Sequence, residues 1–211
     1  YNGVDLEKFT NKNITHTHDV FTMIIVANLF AYKGHVDLLH ALAAIKAELP
    51  KKWRLLCVGK DAGMKKQLQA LTNRLKLADH IEWLGERSDV PSLLSCADMG
   101  VLCSHEEGFS NSILENMAMG LPMVVTDVGG NAEAVWDGVH GLVVPPKNPT
   151  QLAQAILTLA HDEKLRQRMA TAAHERARQC FSLEGCVHQY EMQYAALLTA
   201  PLCENSETTQ N

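Results

Sequence analysis

The sequence predicts an α/β protein: a Rossmann-like, doubly wound parallel sheet with helices on both faces and extra C-terminal helices. Three observations carry this. Short apolar, β-rich runs recur along the chain, each closed by a turn signal. Segments with apolar residues at helical spacing separate them. The two kinds alternate in one steady rhythm, which a parallel sheet with crossover helices satisfies.

Phe21-Thr22-Met23-Ile24-Ile25-Val26 reads as the first strand, apolar enough to be buried on both faces. After a glycine turn at Gly34, Val36, Leu38, Leu39, Leu42, Ile45 and Leu49 repeat at helical spacing up to Pro50. Trp53–Val58 is the second strand, ending at Gly59, with an amphipathic helix over 64–77. Ile81–Leu84 is the third, ending at Gly85, with a short helix over 89–96. Met99–Cys103 precedes a helix over 111–119, and Pro122–Thr126 precedes a helical turn over 131–135. Gly141–Val144 is the last strand, closed by Pro145-Pro146. Helices are then expected over about 149–160, 162–179 and 183–199, before a polar tail from Pro201.

At 211 residues the chain suffices for one well-packed domain or two small ones. The expected division is a linker over 1–20, a ligand-binding domain over 21–180, a C-terminal helix over 181–200 and a tail over 201–211. A hydrophobic fraction of 46% with 20% charged residues excludes a disordered chain. A net charge of −5 argues against nucleic acid as a partner. No apolar run approaches the roughly 18 residues that span a bilayer. The six cysteines form no C-x-x-C pair, and Cys57 and Cys103 read as buried reduced thiols, which suits a reducing compartment. His16-Thr17-His18 lacks further ligands, so no metal site is expected. The chain opens on an Asn-Gly turn without an initiator Met or signal peptide, the mark of a piece excised from something longer.

In a doubly wound sheet the ligand lies at the carboxyl ends of the strands. The richest loop there is Ser104-His105-Glu106-Glu107-Gly108-Phe109-Ser110-Asn111-Ser112, leading into the helix that carries Glu115. A glycine turn followed by a helix start offers free N–H groups to an anion. Glu107 on the loop and Glu115 one turn into the helix can bracket a polyhydroxyl ligand. Ser110, Asn111 and Ser112 are equally suited to capping the helix, and acids favour first turns in any case, so a structural loop stays open as a reading. Lys33, beside Gly34, can reach a phosphate across the strand ends or simply face solvent. Asn28 can cap or turn. Gly129-Gly130 permits close backbone approach by a ligand or a tight turn. No G-x-G-x-x-G, Walker or G-x-S-x-G pattern occurs. With ten histidines in the chain, His35 and His105 beside this site are expected by chance.

The ordered set Asn2-Gly3-Val4-Asp5, Lys33-Gly34-His35, Leu84-Gly85, Ala97-Asp98, Ser104-x-x-Glu107-Gly108-Phe109, Glu115-x-Met117-Ala118-x-Gly120-x-Pro122, Gly129-Gly130 and Gly141-Leu142-Val143-Val144-Pro145 resembles the C-terminal domain of glycosyltransferase family 4. The resemblance runs from about residue 2 to residue 198, and Glu107-x7-Glu115 is its most specific piece. It implies one half of a GT-B fold, the donor-binding half of a retaining enzyme that transfers a sugar from a nucleotide diphosphate without a bound metal or cofactor. By that resemblance Glu115 holds the ribose hydroxyls and Glu107 those of the donor sugar. The amides of Gly108, Phe109, Ser110, Asn111 and Ser112 receive the diphosphate, and Lys33 offsets charge on the leaving phosphate. The base, in a UDP- or GDP-linked donor, lies near Gly85, Glu86 and Arg87.

Many relatives carry arginine five residues before the lysine. Here the position is Asn28, which shifts phosphate neutralisation onto Lys33 and the helix start. The acceptor is expected on a separate N-terminal domain, with Tyr190, Tyr194, Leu197 and Leu198 exposing an apolar patch in its absence. The expected role is polysaccharide or glycolipid biosynthesis in a bacterial cytoplasm, including the inner membrane face, reached peripherally through that domain. The chain alone is expected to bind donor without transferring. A noncatalytic nucleotide-sugar-binding subunit and a GT-B sugar-nucleotide epimerase are the alternative readings.

Overall fold

A computed structural model describes residues 1–10 and 19–199. Its six strands are β1 (Phe21–Val26), β2 (Trp53–Val58), β3 (Ile81–Gly85), β4 (Met99–Leu102), β5 (Met123–Thr126) and β6 (Gly141–Val144). They form one sheet in the order β3-β2-β1-β4-β5-β6, and every neighbouring pair is parallel. The register puts Phe21 opposite Trp53 and Val26 opposite Val58, while Met23 and Ile24 meet Met99 and Gly100.

The intervening helices are α1 (His35–Ile45), α2 (Lys65–Arg74), α3 (Val90–Ser95), α4 (Asn111–Ala118) and α5 (Asn131–Ala134). After β6 come α6 (Pro149–His161), α7 (Glu163–Cys180) and α8 (Leu183–Thr199). Every strand and helix expected from the periodicity is present, with ends shifted by a few residues. The largest shift is in α1, which stops at Ile45 although Leu49 extends the apolar pattern. Leu49 stays buried because its amide still bonds the carbonyl of Ile45, turning the chain inward ahead of Pro50.

Successive strand residues point to opposite faces, and both faces are packed. Met23, Ile25, Leu55 and Val101 join Leu38, Leu42, Ile156 and Leu159 on the side of α1 and α6. Ile24, Leu56, Leu102 and Val125 join Leu94, Ile113, Met117, Ala173 and Phe181 on the side of α3, α4 and α7. Cys57 and Cys103 lie inside the first of these layers, and burial raises both thiols, Cys103 to about 12. At the amino ends of the strands, Asp98 accepts from the amide of Thr22 at 2.7 Å and ties β1 to β4.

Residues 1–9, read from sequence as polar linker, lie on the domain instead of standing off it. Val4 and Phe9 are buried, and Val4 bridges to Ser182 between α7 and α8. Along α8, Tyr190, Tyr194, Leu197 and Leu198 are 49% to 87% exposed. Among the described residues no helix is long and apolar enough to cross a membrane, and no cluster of His, Cys, Asp or Glu is placed to hold a metal ion. His16-Thr17-His18 and the tail from Pro201 lie outside the described residues.

Gly34 shows why the first crossover has its form. Its φ is 71°, and a β-carbon there would stand 1.9 Å from the carbonyl oxygen of Cys103. The turn into α1 therefore rests directly on the backbone at the end of β4. Gly34→Ala is expected to destabilise the protein by more than about 2 kcal/mol, because left-handed strain and a backbone clash add together. Chemical denaturation measures this, and a change within 0.5 kcal/mol would mean the turn does not carry the contact.

Candidate functional site

The strand order reverses between β1 and β4, so the loops leaving these neighbours diverge and open a crevice at their carboxyl ends. A cleft of about 490 Å³ occupies it. Val26, Val58, Leu102 and Val90 supply its apolar part. Of the residues singled out from sequence, Asn28, Lys33, Arg87, Glu107, Phe109, Ser110, Asn111, Ser112 and Glu115 all line this one cleft. Three separate loops and one helix bring them together.

Gly85 and Gly108 stand outside the lining. The carbonyl of Gly85 accepts from the amide of Gly59, joining the loops after β2 and β3. The carbonyl of Gly108 accepts from the amide of Gly130 at 2.6 Å. This also settles what the Gly129-Gly130 pair does. A β-carbon at Gly129 would lie 2.0 Å from the carbonyl oxygen of Glu107, and one at Gly130 would lie 2.4 Å from the ring of Phe109. The two glycines let the loop after β5 lie against the loop that carries Glu107.

The Glu107 loop is held from several sides. Its carboxylate accepts from Lys33 Nζ at 2.6 Å and from the Ser104 hydroxyl at 2.7 Å. Ser104 is fully buried, and its carbonyl accepts from the Thr126 hydroxyl. His105 donates its amide to the carbonyl of Tyr32 and places its ring 2.7 Å from Asp37. His105 thus pins the loop of Lys33 to the loop of Glu107. His35 is buried among apolar neighbours, and neither ring nitrogen has a hydrogen-bond partner among the described residues. Burial and then the nearby Lys33 charge push its pKa down to about 4, so it stays neutral.

Lys33 and Glu107 are only 17% and 9% exposed, so their attraction is weakly screened. Removing either partner would leave a poorly solvated charge. At the helix start Ser110 occupies the N-cap in extended backbone, yet no side chain caps α4. The sequence offered three capping residues there, and none bonds the first-turn amides through its side chain. Among the described residues the amides of Asn111 and Ser112 bond no protein acceptor, as an anion site requires, while that of Ile113 bonds the Ser110 carbonyl at 3.2 Å.

Glu115 completes the wall. Its carboxylate has no hydrogen-bond partner among the described residues, and burial raises its pKa, partly offset by Lys8. Asn28 lines the cleft, and its side-chain oxygen accepts from the amide of Lys60. Arg87 is paired bidentately with Asp89 at 2.7 and 2.6 Å, in exposed surroundings. Sequence reasoning missed Asn2, Lys8 and Ser104 as contributors. Ser104 and Asn2 both stand in the quoted motifs without an assigned role, whereas Lys8 arrives by tertiary folding alone.

The raised pKa of Glu115 has a measurable consequence. The fold holds its proton more tightly than the unfolded chain does, so the ionised carboxylate subtracts from stability as pH rises above 4.5. Glu115→Gln is expected to raise the melting temperature of the unliganded protein at pH 7 and to leave it unchanged near pH 3. A lowered melting temperature at pH 7 would show that the carboxylate has a stabilising partner after all.

Comparison with known proteins follows the same outline. The N-acetyl-alpha-D-glucosaminyl L-malate synthase of Bacillus anthracis is 30% identical over 205 residues, covering 94% of this chain and 53% of that protein. The chain spans about half the length of the curated relatives it matches. HepE from Anabaena, solved in complex with UDP, superposes with a TM-score of 0.84 at 26% identity, over 93% of this chain and 56% of that one. The C-terminal domain of LpcC from Francisella tularensis, a glycosyl transferase group 1 family protein, shares the fold with a TM-score of 0.75 at 24% identity. That match covers 86% of this chain and all of that domain. The family described as "Glycosyl transferases group 1" matches residues 7–176. With that match spanning most of its length, the chain belongs to the group 1 glycosyl transferases and has the fold of the C-terminal domain of their GT-B architecture.

Proposed function

We propose that the cleft between β1 and β4 binds a nucleotide diphosphate-sugar, and that the chain is the donor-holding half of a retaining glycosyltransferase. One observation carries this reading above the others. An uncapped helix start, a lysine and two carboxylates, one of them without a hydrogen-bond partner among the described residues, converge on a single cleft. Those groups match the parts of such a donor in kind and in order.

The diphosphate lies at the amino end of α4, where amides and the helix dipole favour negative charge. Glu115 accepts from the ribose hydroxyls, giving a half-buried carboxylate charge-assisted partners. Glu107 takes the hydroxyls of the sugar. Transfer breaks the bond from the anomeric carbon to the diphosphate oxygen, and the charge left on that oxygen is offset by Lys33 and the α4 amides. The donor phosphate competes with Glu107 for Lys33, so the ion pair loosens as the donor seats. Glu107 keeps its Ser104 hydrogen bond during the exchange. HepE was solved with UDP and with UDP-glucose, which favours a UDP-linked donor here, with a GDP-linked one next. The acceptor belongs to a second, N-terminal domain, against which the exposed apolar residues of α8 would pack.

The test is thermal stability of the chain with UDP, GDP, ADP, TDP or CDP. A nucleotide at 100 times its dissociation constant should stabilise the fold by roughly 2.7 kcal/mol. Glu115→Ala should weaken that nucleotide at least tenfold, as expected for loss of charge-assisted bonds of about 1.5–3 kcal/mol. Absence of any shift at millimolar nucleotide, or equal binding by the variant, would overturn the assignment.

A further inference from the structure

We propose that Asn2 is a positioning residue for the diphosphate, acting by fixing the loop that presents the α4 helix start. This rests on the donor-binding reading above. Asn2 Nδ2 donates to the carbonyl of Phe109 at 3.0 Å and to the side-chain oxygen of Asn111 at 2.8 Å. These two acceptors flank Ser110, the N-cap of α4, and all three residues line the cleft. One amide group thus spans the turn that leads into the helix. Because the carbonyl of Phe109 can only accept, the nitrogen end of Asn2 is the end that faces it.

The choice of partners matters more than their number. Among the described residues Asn2 binds two acceptors and no amide, so it steadies the turn while leaving the N–H groups of Asn111 and Ser112 for an anion. It also occupies the Asn111 oxygen, which could otherwise fold back onto one of those N–H groups, as asparagine does near helix starts. An anion site needs its amides uncapped and in place together, and Asn2 serves both needs.

Asn2 is itself held by its neighbours. The Tyr1 ring lies 5.0 Å from that of Phe109 and 5.6 Å from that of Phe181. A β-carbon at Gly3 would stand 2.6 Å from Leu183 Cα, so the strap lies directly on the start of α8. The amide of Val4 donates to Phe181, and the amide of Leu183 donates to Val4. Asp5 then accepts from the amides of Glu7 and Lys8, which closes a turn. Asn2-Gly3-Val4-Asp5 therefore contributes a clamp, a close approach, a bridge and a turn, in that order.

Exposed hydrogen bonds of this kind add little to global stability, so the effect should show in binding. The experiment titrates wild type, Asn2→Ala and Asn2→Asp with UDP and with uridine, by amide chemical shifts that read millimolar affinities. GDP and guanosine replace them if the wild type selects guanine. Asn2→Ala should weaken the nucleoside diphosphate about fivefold and leave the nucleoside unchanged. Asn2→Asp, nearly the same shape, should weaken it further by placing a negative charge beside the diphosphate. Undiminished diphosphate binding by both variants, or an equal loss for diphosphate and nucleoside, would overturn the role of Asn2 and leave the cleft assignment standing. If the wild type binds no nucleoside diphosphate, the cleft assignment falls and this inference with it.

Discussion

Because β1 hands the chain to β2 on one side while β4 hands it to β5 on the other, the loops above these neighbouring strands part. A gap opens there that the core cannot fill, and the backbone at its floor must be satisfied without a covering helix. The rest of the site answers this constraint. Gly34 rests on Cys103, Gly59 on Ala27 and Gly129 on Glu107, so the loops bordering the gap brace one another through the backbone. Side chains are then free to face the gap. The result is a rigid crevice built from loops, as function on this fold requires.

Within the crevice, charge is balanced locally. Lys33 is paired with Glu107 and Arg87 with Asp89, and His105 shares a hydrogen bond with Asp37. Glu115 and the amides at the start of α4 are the groups left wanting, one an acceptor and the others donors. They are too differently placed along the helix to satisfy each other, since the carboxylate sits a turn beyond the amides. A ligand that brings an anion and a pair of hydroxyls satisfies both at once. In the proposed donor complex, Lys33 and Glu107 would exchange their mutual pair for the phosphate and the sugar.

The sheet was legible because the central strands, buried on both faces, are nearly continuous apolar runs, and six short strand-like runs in all alternate with helical periods. The site was legible to the extent that its residues sit at strand ends or helix starts, as Lys33, Glu107 and Glu115 do. What escaped were relations across the chain. Whether Ser110 caps its helix depends on a rotamer, and whether Gly129-Gly130 meets a ligand or a loop depends on how two crossovers pack. Residues 1–9 look polar, yet Val4 and Phe9 are buried in the same apolar layer as Met117 and Phe181. The clamp made by Asn2 spans 107 and 109 positions, a distance that no local pattern encodes.

The most direct measurement is a crystal structure of the chain with UDP bound. The account predicts the diphosphate against the amides of residues 110–112, its ribose hydroxyls on Glu115, and Lys33 moved from Glu107 onto a phosphate oxygen. A nucleotide seated elsewhere on the domain, or a diphosphate that leaves Glu115 without a partner, would contradict it.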